Sequence, residues 1–190
     1  MNEDDNSRAA PYVASNTDES MTETNATNTA LTALTWQWCA FDELSLQDLY
    51  AILRLRQLVF IVEQECPYLD ADDYDAKAWH LLGRVVRDDD ATPLLAAYVR
   101  IFPPGIKYAE ASIGRVVTHP DVRRTGMGKT LMREALRRTE SLTPQTDIRI
   151  GAQMYLEKFY EGFGFRRVSE PYMEDGIPHI EMVRKAVDSR

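Results

Sequence analysis

Leu34, Trp36 and Trp38 alternate with Thr35 and Gln37, the two-residue period of a strand with one buried face. Ser45-Leu46-Gln47-Asp48 follows, a hydroxyl N-cap with an acid three residues on. Leu46, Leu49, Ile52, Leu53 and Val59 then recur at helical spacing, which predicts a helix over 46–60 that cannot continue through Cys66-Pro67. Residues 78–88 and 94–102 read as strands, with Asp88-Asp89-Asp90 and Pro93 as the turn between them, and 110–118 as a third. Strands this close in sequence predict an antiparallel meander. From residue 126 a second helix is expected: Met127, Leu131, Met132, Ala135 and Leu136 form its apolar face, and Lys129, Arg133, Arg137 and Arg138 the other. A short strand over 147–152 precedes a short helix carrying Leu156, Phe159, Tyr160 and Phe163, which ends near Gly162 and Gly164. The segments FRRVSE (165–170) and PHIEMVRKA (178–186) read as closing strands. The order β-α-β-β-β-α-β-α-β-β defines a mixed α/β (α+β) class, with helices flanking a central, mostly antiparallel sheet.

Composition adds limits rather than a function. The chain has 190 residues with 44% apolar and 27% charged, the profile of one globular domain. No run of 18 apolar residues exists to form a membrane helix, so no membrane partner is expected. The net charge of −8 argues against a general nucleic-acid binder. Cys39 and Cys66 are too few for a disulfide scaffold and form no CxxC pair. Residues 1–30 hold six acids, one base and 13 Ser, Thr or Asn, with Tyr12, Val13 and Met21 as their larger apolar groups. Such a segment cannot bury enough surface to offset the entropy of ordering, so 1–30 is expected to be a disordered tail before one domain over 31–190. It has neither the apolar run of a secretory signal nor the basic character of a transit peptide, which fits a cytoplasmic protein, and Met21 is an alternative start.

Against that acidic background, residues 115–138 carry seven bases and two acids. The segment from Ile113 to Met132 runs from a strand through a glycine-containing loop into a helix. The first N–H groups of a helix lack intrahelical partners and its dipole makes that end positive, so the arrangement suits a phosphorylated ligand. Three phosphate patterns compete. The dinucleotide pattern GxGxxG fails because its third glycine falls on Leu131, and the Walker pattern fits Gly128-Lys129-Thr130 but puts its first glycine on Arg123. The pattern R-x-x-G-x-G is met by Arg123, Gly126 and Gly128.

That loop resembles the pyrophosphate loop of the GNAT superfamily of acyl-CoA N-acyltransferases, and Phe159-Tyr160-Glu161-Gly162-Phe163-Gly164-Phe165 is similar to its downstream aromatic segment. Val62-Glu63-Gln64-Glu65-Cys66-Pro67-Tyr68 and Glu174-Asp175-Gly176-Ile177-Pro178-His179-Ile180, with Leu55-Arg56-Gln57, His80-Leu81 and Gly151-Ala152-Gln153, resemble the ElaA family within it. The similarity spans about 36–186, and Arg124 departs from it where many such loops have glycine.

The resemblance implies the GNAT fold, an N-acetyltransferase, and acetyl-CoA as cosubstrate in a cleft between splayed strands 110–118 and 147–152. Val116, Val117 and Thr118 would hold the pantetheine and thioester, a backbone N–H near Val117 would meet the oxyanion, and Arg123, Arg124, Thr125, Gly126, Met127, Gly128 and Lys129 would hold the pyrophosphate. Tyr160 maps onto the tyrosine that assists the departing thiolate. The attacking amine, a small molecule or peptide, needs a base, for which Glu63, His119, Glu174 and His179 are candidates. A non-catalytic acyl-CoA-binding domain on the same scaffold is the alternative. Glu63, Glu65, Asp70, Asp72, Asp73 and Asp75 have no base among them and read as a solvated loop or an attractor for a cationic acceptor. The three histidines lack zinc spacing and Asp75 occupies the position where a calcium loop needs glycine, so no metal is expected. The sheet edge and C-terminal strands could support a homodimer.

Overall fold

In the computed structural model, residues 31–87 and 90–186 are described. The expected tail over 1–30, the alternative start at Met21 and the Asp88-Asp89 part of the turn lie outside them. Eight strands form one sheet: β1 (Leu31–Ala40), β2 (Trp79–Arg87), β3 (Asp90–Phe102), β4 (Ala111–Thr118), β5 (Ile148–Gln153), β6 (Arg166–Arg167), β7 (Tyr172–Glu174) and β8 (Ile177–Arg184). The spatial order is β1-β2-β3-β4-β5-β8-β6, with β7 paired to β8. Every pairing is antiparallel except β4 with β5.

The expected order has seven strands, and the eighth, β7, is a correction. Glu174 pairs with Ile177 across Asp175-Gly176, whose φ angles of 48° and 80° are those of a tight primed turn. That turn twists with the strands it joins, which is why Asp-Gly favours it.

Helices cover both faces. α1 (Leu46–Arg56) starts at Ser45, whose Oγ accepts from the Asp48 amide at 3.0 Å while Asp48 accepts from the Ser45 amide at 3.3 Å. The helix expected to reach 60 is α-helical only to Arg56, and Gln57–Glu63 continues as a wider π-helix. Its buried side is Ile52, Leu55, Arg56 and Val59, whereas Leu46 lies exposed. Ile52, Leu55 and Val59 pack on Leu82, Leu95, Tyr98 and Val117. The opposite face receives α2 (Met127–Leu142) through Leu131, Met132 and Ala135, and α3 (Glu157–Glu161) through Tyr160. Leu81 and Leu82 belong to different clusters, as strand alternation requires. At Gly83 a Cβ would come within 2.5 Å of the Trp36 ring, so the neighbouring strand's tryptophan depends on that glycine.

Candidate active site

β4 and β5 pair only at Ala111 with Ile148 and at Ser112 with Arg149. Beyond these the two strands part, and among the described residues the β5-facing edge of β4 has no further ladder partner. Backbone donors and acceptors on that edge are available to an extended ligand. A cavity of about 650 Å³ occupies the gap, walled by Val116, Val117 and Thr118 on one side and Ile150, Ala152 and Tyr160 on the other.

One irregularity shapes the wall. Tyr98 pairs with Val117 and Arg100 with Gly114, so two residues of β4, Arg115 and Val116, face one of β3. This bulge puts Arg115 at φ 54°. Its guanidinium reaches Asp70 Oδ1 at 2.7 Å and Asp72 Oδ2 at 3.3 Å.

Those contacts close a ring. Arg56 binds Asp70 and Asp75, Arg100 binds Asp75 and Asp72, and Arg115 binds Asp72 and Asp70, at 2.6–3.3 Å. Arg56 and Arg100 are 0% and 1% exposed and Asp70 6%. Burial alone would raise the pKa of Asp72 and Asp75, but the arginines beside them outweigh it and hold both carboxyls below their usual range. The acid-rich stretch is therefore neither a solvated loop nor an acceptor attractor at Asp70, Asp72 and Asp75: three arginines from other elements neutralise them. His80 belongs to the same buried region. Its Nε2–H donates to the Asp75 carbonyl at 3.0 Å and its Nδ1 accepts from Tyr98 Oη at 2.8 Å, which keeps the ring neutral, and burial lowers its pKa. The 64–75 segment is also tied across the cavity, by Gln153 Nε2 to Gln64 Oε1 at 3.2 Å and by Cys66 Sγ to the Asp175 carbonyl at 2.9 Å.

At the other end of β4 lies the phosphate-type loop. Arg124 has φ 63° and Gly126 φ 90°, so the departure from glycine at 124 leaves the backbone in the left-handed region that glycine favours. Alternating turns of this kind point successive amides into a concave anion site. Thr125 Oγ1 donates to the Val122 carbonyl at 2.7 Å and closes the loop. The first intrahelical bond of α2 is Thr130 N to Gly126 O at 3.1 Å, so the amides of Met127, Gly128 and Lys129 precede the ladder. These features fit a diphosphate. Of the loop residues, Arg123 lines the cavity, whereas Arg124, Thr125, Gly126, Met127, Gly128 and Lys129 are not in its wall, and Met127 is buried in the core.

The four candidate bases are placed differently. Glu63 lines the cavity but holds Arg123 in a two-pronged ion pair at 2.6 and 2.8 Å, and that hydrogen bonding raises the Arg123 pKa. His119 is not in the cavity wall: it caps the turn Pro120–Val122, its Nδ1 accepting from the Asp121 amide at 3.3 Å. Glu174 and His179 both line the cavity. His179 Nδ1 lies 2.9 Å from the Ile177 carbonyl. A carbonyl only accepts, so Nδ1 carries a proton, and in the neutral ring the lone pair sits on Nε2.

The Tyr160 ring is 6% exposed and packs edge-on against Phe159 and Phe165, with centroids 5.1 and 6.0 Å away. Burial pushes its phenol pKa up. Among the described residues its hydroxyl has no hydrogen-bond partner, and the side chain borders the cavity. No cluster able to hold a metal occurs among the described residues, and none of their helices is long and apolar enough to cross a membrane.

Comparison with known proteins agrees with this geometry. A family profile for the acetyltransferase (GNAT) domain matches residues 96–186. Protein ElaA of Escherichia coli is 40% identical over 156 residues, covering 81% of this chain and 98% of that protein. The crystal structure of E. coli ElaA superposes with a TM-score of 0.72 at 39% identity, covering 80% of this chain and all of that one. An acyl-CoA N-acyltransferase from Pseudomonas aeruginosa does so with a TM-score of 0.73 at 40% identity, covering 80% and 99%. The sheet, the parted strands and the loop define a GNAT-type acyltransferase fold, and the chain belongs to the ElaA family of GNAT acetyltransferases. It is a transferase, and its family implies an acyl-CoA cosubstrate and an amine-bearing acceptor.

Proposed function

We propose that the protein transfers an acetyl group from acetyl-CoA to a primary amine by direct attack while both substrates are bound. The observation that carries this reading is the gap opened past Ser112, with its exposed β4 edge, an anion-type loop at one end and the Tyr160 hydroxyl in its wall. The β4 edge pairs with the pantetheine amides as a further strand would. A backbone N–H near Val117 takes the carbonyl oxygen as it becomes an oxyanion. The amides and cations of 123–129 hold the diphosphate.

The amine nitrogen attacks the thioester carbon, the C–S bond breaks, and the sulfur leaves as a thiolate. The amine proton passes to a base in the cavity wall, which we assign to Nε2 of His179 in its neutral form, with the Glu174 carboxylate as the other acceptor there. Tyr160 donates a hydrogen bond to the sulfur as negative charge develops there. Holding both reactants together supplies much of the rate gain. Both cysteines are free and buried, which supports a reducing, cytoplasmic setting.

The test combines calorimetry with acetyl-CoA and an assay of thiol release over amines and peptides, with products identified by mass spectrometry. Binding with acetylated product supports the proposal. Binding without transfer to any acceptor favours a non-catalytic acyl-CoA-binding role, and no binding at low salt removes both.

A further inference from the structure

The cavity has a second end that acyl-CoA chemistry does not use. Loop 103–110 precedes β4, whereas the 119–129 loop follows it, so the two loops lie at opposite ends of that strand. Lys107, from the first loop, lines the cavity with Glu174 and His179 of the β7–β8 hairpin. Among the described residues the other basic groups of this wall are already paired: Arg115 with Asp70 and Asp72, and Arg123 with Glu63. Lys107 differs, since no carboxylate among the described residues lies within ion-pair distance, and its ammonium stands 5.8 Å from the centre of the Tyr108 ring. Its side chain keeps contact with solvent, yet the concave wall partly desolvates the ammonium and lowers its pKa, with the Glu174 carboxylate pulling the other way.

This end of the cavity is built for polar ligands. At Gly151 of β5 a Cβ would meet the Tyr172 hydroxyl at 3.3 Å and that of Tyr108 at 3.7 Å, so the missing side chain admits both hydroxyls to the strand. Burial and the nearby Glu174 push the Tyr172 pKa up to about 12, so it stays a hydrogen-bond donor at neutral pH. The Lys107 ammonium, the Glu174 and Asp175 carboxylates and His179 thus share this end of the pocket, beside an arginine–aspartate ring that is neutral in sum.

A simple amine or polyamine has no group to match Lys107 and would meet a like charge there. We propose that the acceptor is a primary amine bearing its own carboxylate, of the amino-acid class, with Lys107 binding the carboxylate and Glu174 drawing the amine toward His179. This inference rests on the acetyltransferase reading above and deepens it.

The test is the thiol-release assay on the twenty amino acids, their decarboxylated amines, their amides and spermidine, with acetyl-CoA calorimetry in parallel. The best amino acid should exceed its decarboxylated amine and its amide at least tenfold in kcat/KM. In Lys107→Met that ratio should collapse to about twofold through KM for the amino acid, and Lys107→Arg should restore it. Equal or better use of the decarboxylated amine, the amide or spermidine overturns the inference, as does a ratio that survives in Lys107→Met. Acetylation of Lys107 itself, read by mass spectrometry, also overturns it, as does acetyl-CoA binding with no amino acid turned over. Failure to bind acetyl-CoA instead removes the reading beneath it.

Discussion

Tyr160→Phe removes one oxygen and leaves the rest of the side chain in place. The ring keeps its packing on Phe159 and Phe165. The hydroxyl has no protein partner among the described residues, so its loss strands no buried donor or acceptor. Stability should therefore change by no more than about 0.5 kcal/mol. Catalysis should respond far more. For ordinary groups, a phenol pKa of about 10 and a thiol pKa of about 8.5 make full proton transfer to the thiolate uphill by about 2 kcal/mol. Burial of Tyr160 raises the phenol further and steepens that climb. In the proposed mechanism Tyr160 therefore serves by donating a hydrogen bond to the departing sulfur rather than by surrendering its proton. A hydrogen bond to a charged group contributes about 1.5–3 kcal/mol, which corresponds to a loss of about 10- to 150-fold in kcat. Since the charge appears only as the C–S bond breaks, KM for acetyl-CoA should barely move. The assay is steady-state thiol release with single-turnover rates to establish that chemistry limits kcat, and Tm as the check on folding. Unchanged single-turnover rates would refute the role. A descending pH–rate limb below about pH 10 that vanishes in the variant would refute the raised phenol.

Glu63→Gln frees Arg123 and removes an anion from beside the diphosphate site, so calorimetry should show acetyl-CoA binding up to about fivefold tighter, the scale of one exposed ion pair. Weaker binding would mean that Glu63 holds Arg123 in its productive position. Arg56→Met leaves Asp70 and Asp75 each with one arginine instead of two, so the low end of the cost for breaking a buried pair applies, about 3 kcal/mol, or roughly 6–12 °C in Tm. A drop below about 1 kcal/mol in denaturant unfolding would show that the ring does not act as compensated buried charge. Asp72 and Asp75 have folded-state pKa values below the unfolded value of about 3.9, so their contribution is fully present above about pH 5 and is lost as pH falls through the unfolded and then the folded values. Thermal melts from neutral to acid pH should be level down to about pH 5 and then decline, and a level Tm down to about pH 3 contradicts the assignment.

Much of the scaffold is legible in the chain because it rests on local periodicity. The alternation at Leu34–Trp38, the cap at Ser45 and the stripe Met127–Leu136 each depend on nearest neighbours, and each forms the element its pattern predicts. The anion loop is legible for the same reason. The arginine–aspartate ring is not, since its partners stand 14 to 45 residues apart along the chain. One signal does point to it: Arg100 sits in LLAAYVRIF, where Val99 and Ile101 leave a charge no route to water without a buried partner. The β7–β8 hairpin also carried its mark in Asp175-Gly176, a two-residue turn signature between apolar segments. The π-helical stretch Gln57–Glu63 has no mark of that kind, because its residues satisfy a 3.6-residue period about as well.

The ring and the cavity have a common origin in β4. Where β4 leaves β5 after Ser112, a wall of the cleft is lost, and something else must close it. The bulge at Arg115 turns that side chain onto Asp70 and Asp72, which anchors the 64–75 segment over the opening. Replacing such a ring with apolar residues of similar volume would often be neutral or stabilising. An apolar wall, however, would leave the charge of Glu174 and Lys107 facing hydrocarbon, where a charged ligand would have to shed water without compensation. The ring is neutral in sum but polar throughout, so it closes the cleft without imposing a sign on it. Under the proposed acceptor, discrimination then falls to the few side chains that the ring leaves uncommitted, with Lys107 the cation among them in the cavity wall of the described residues.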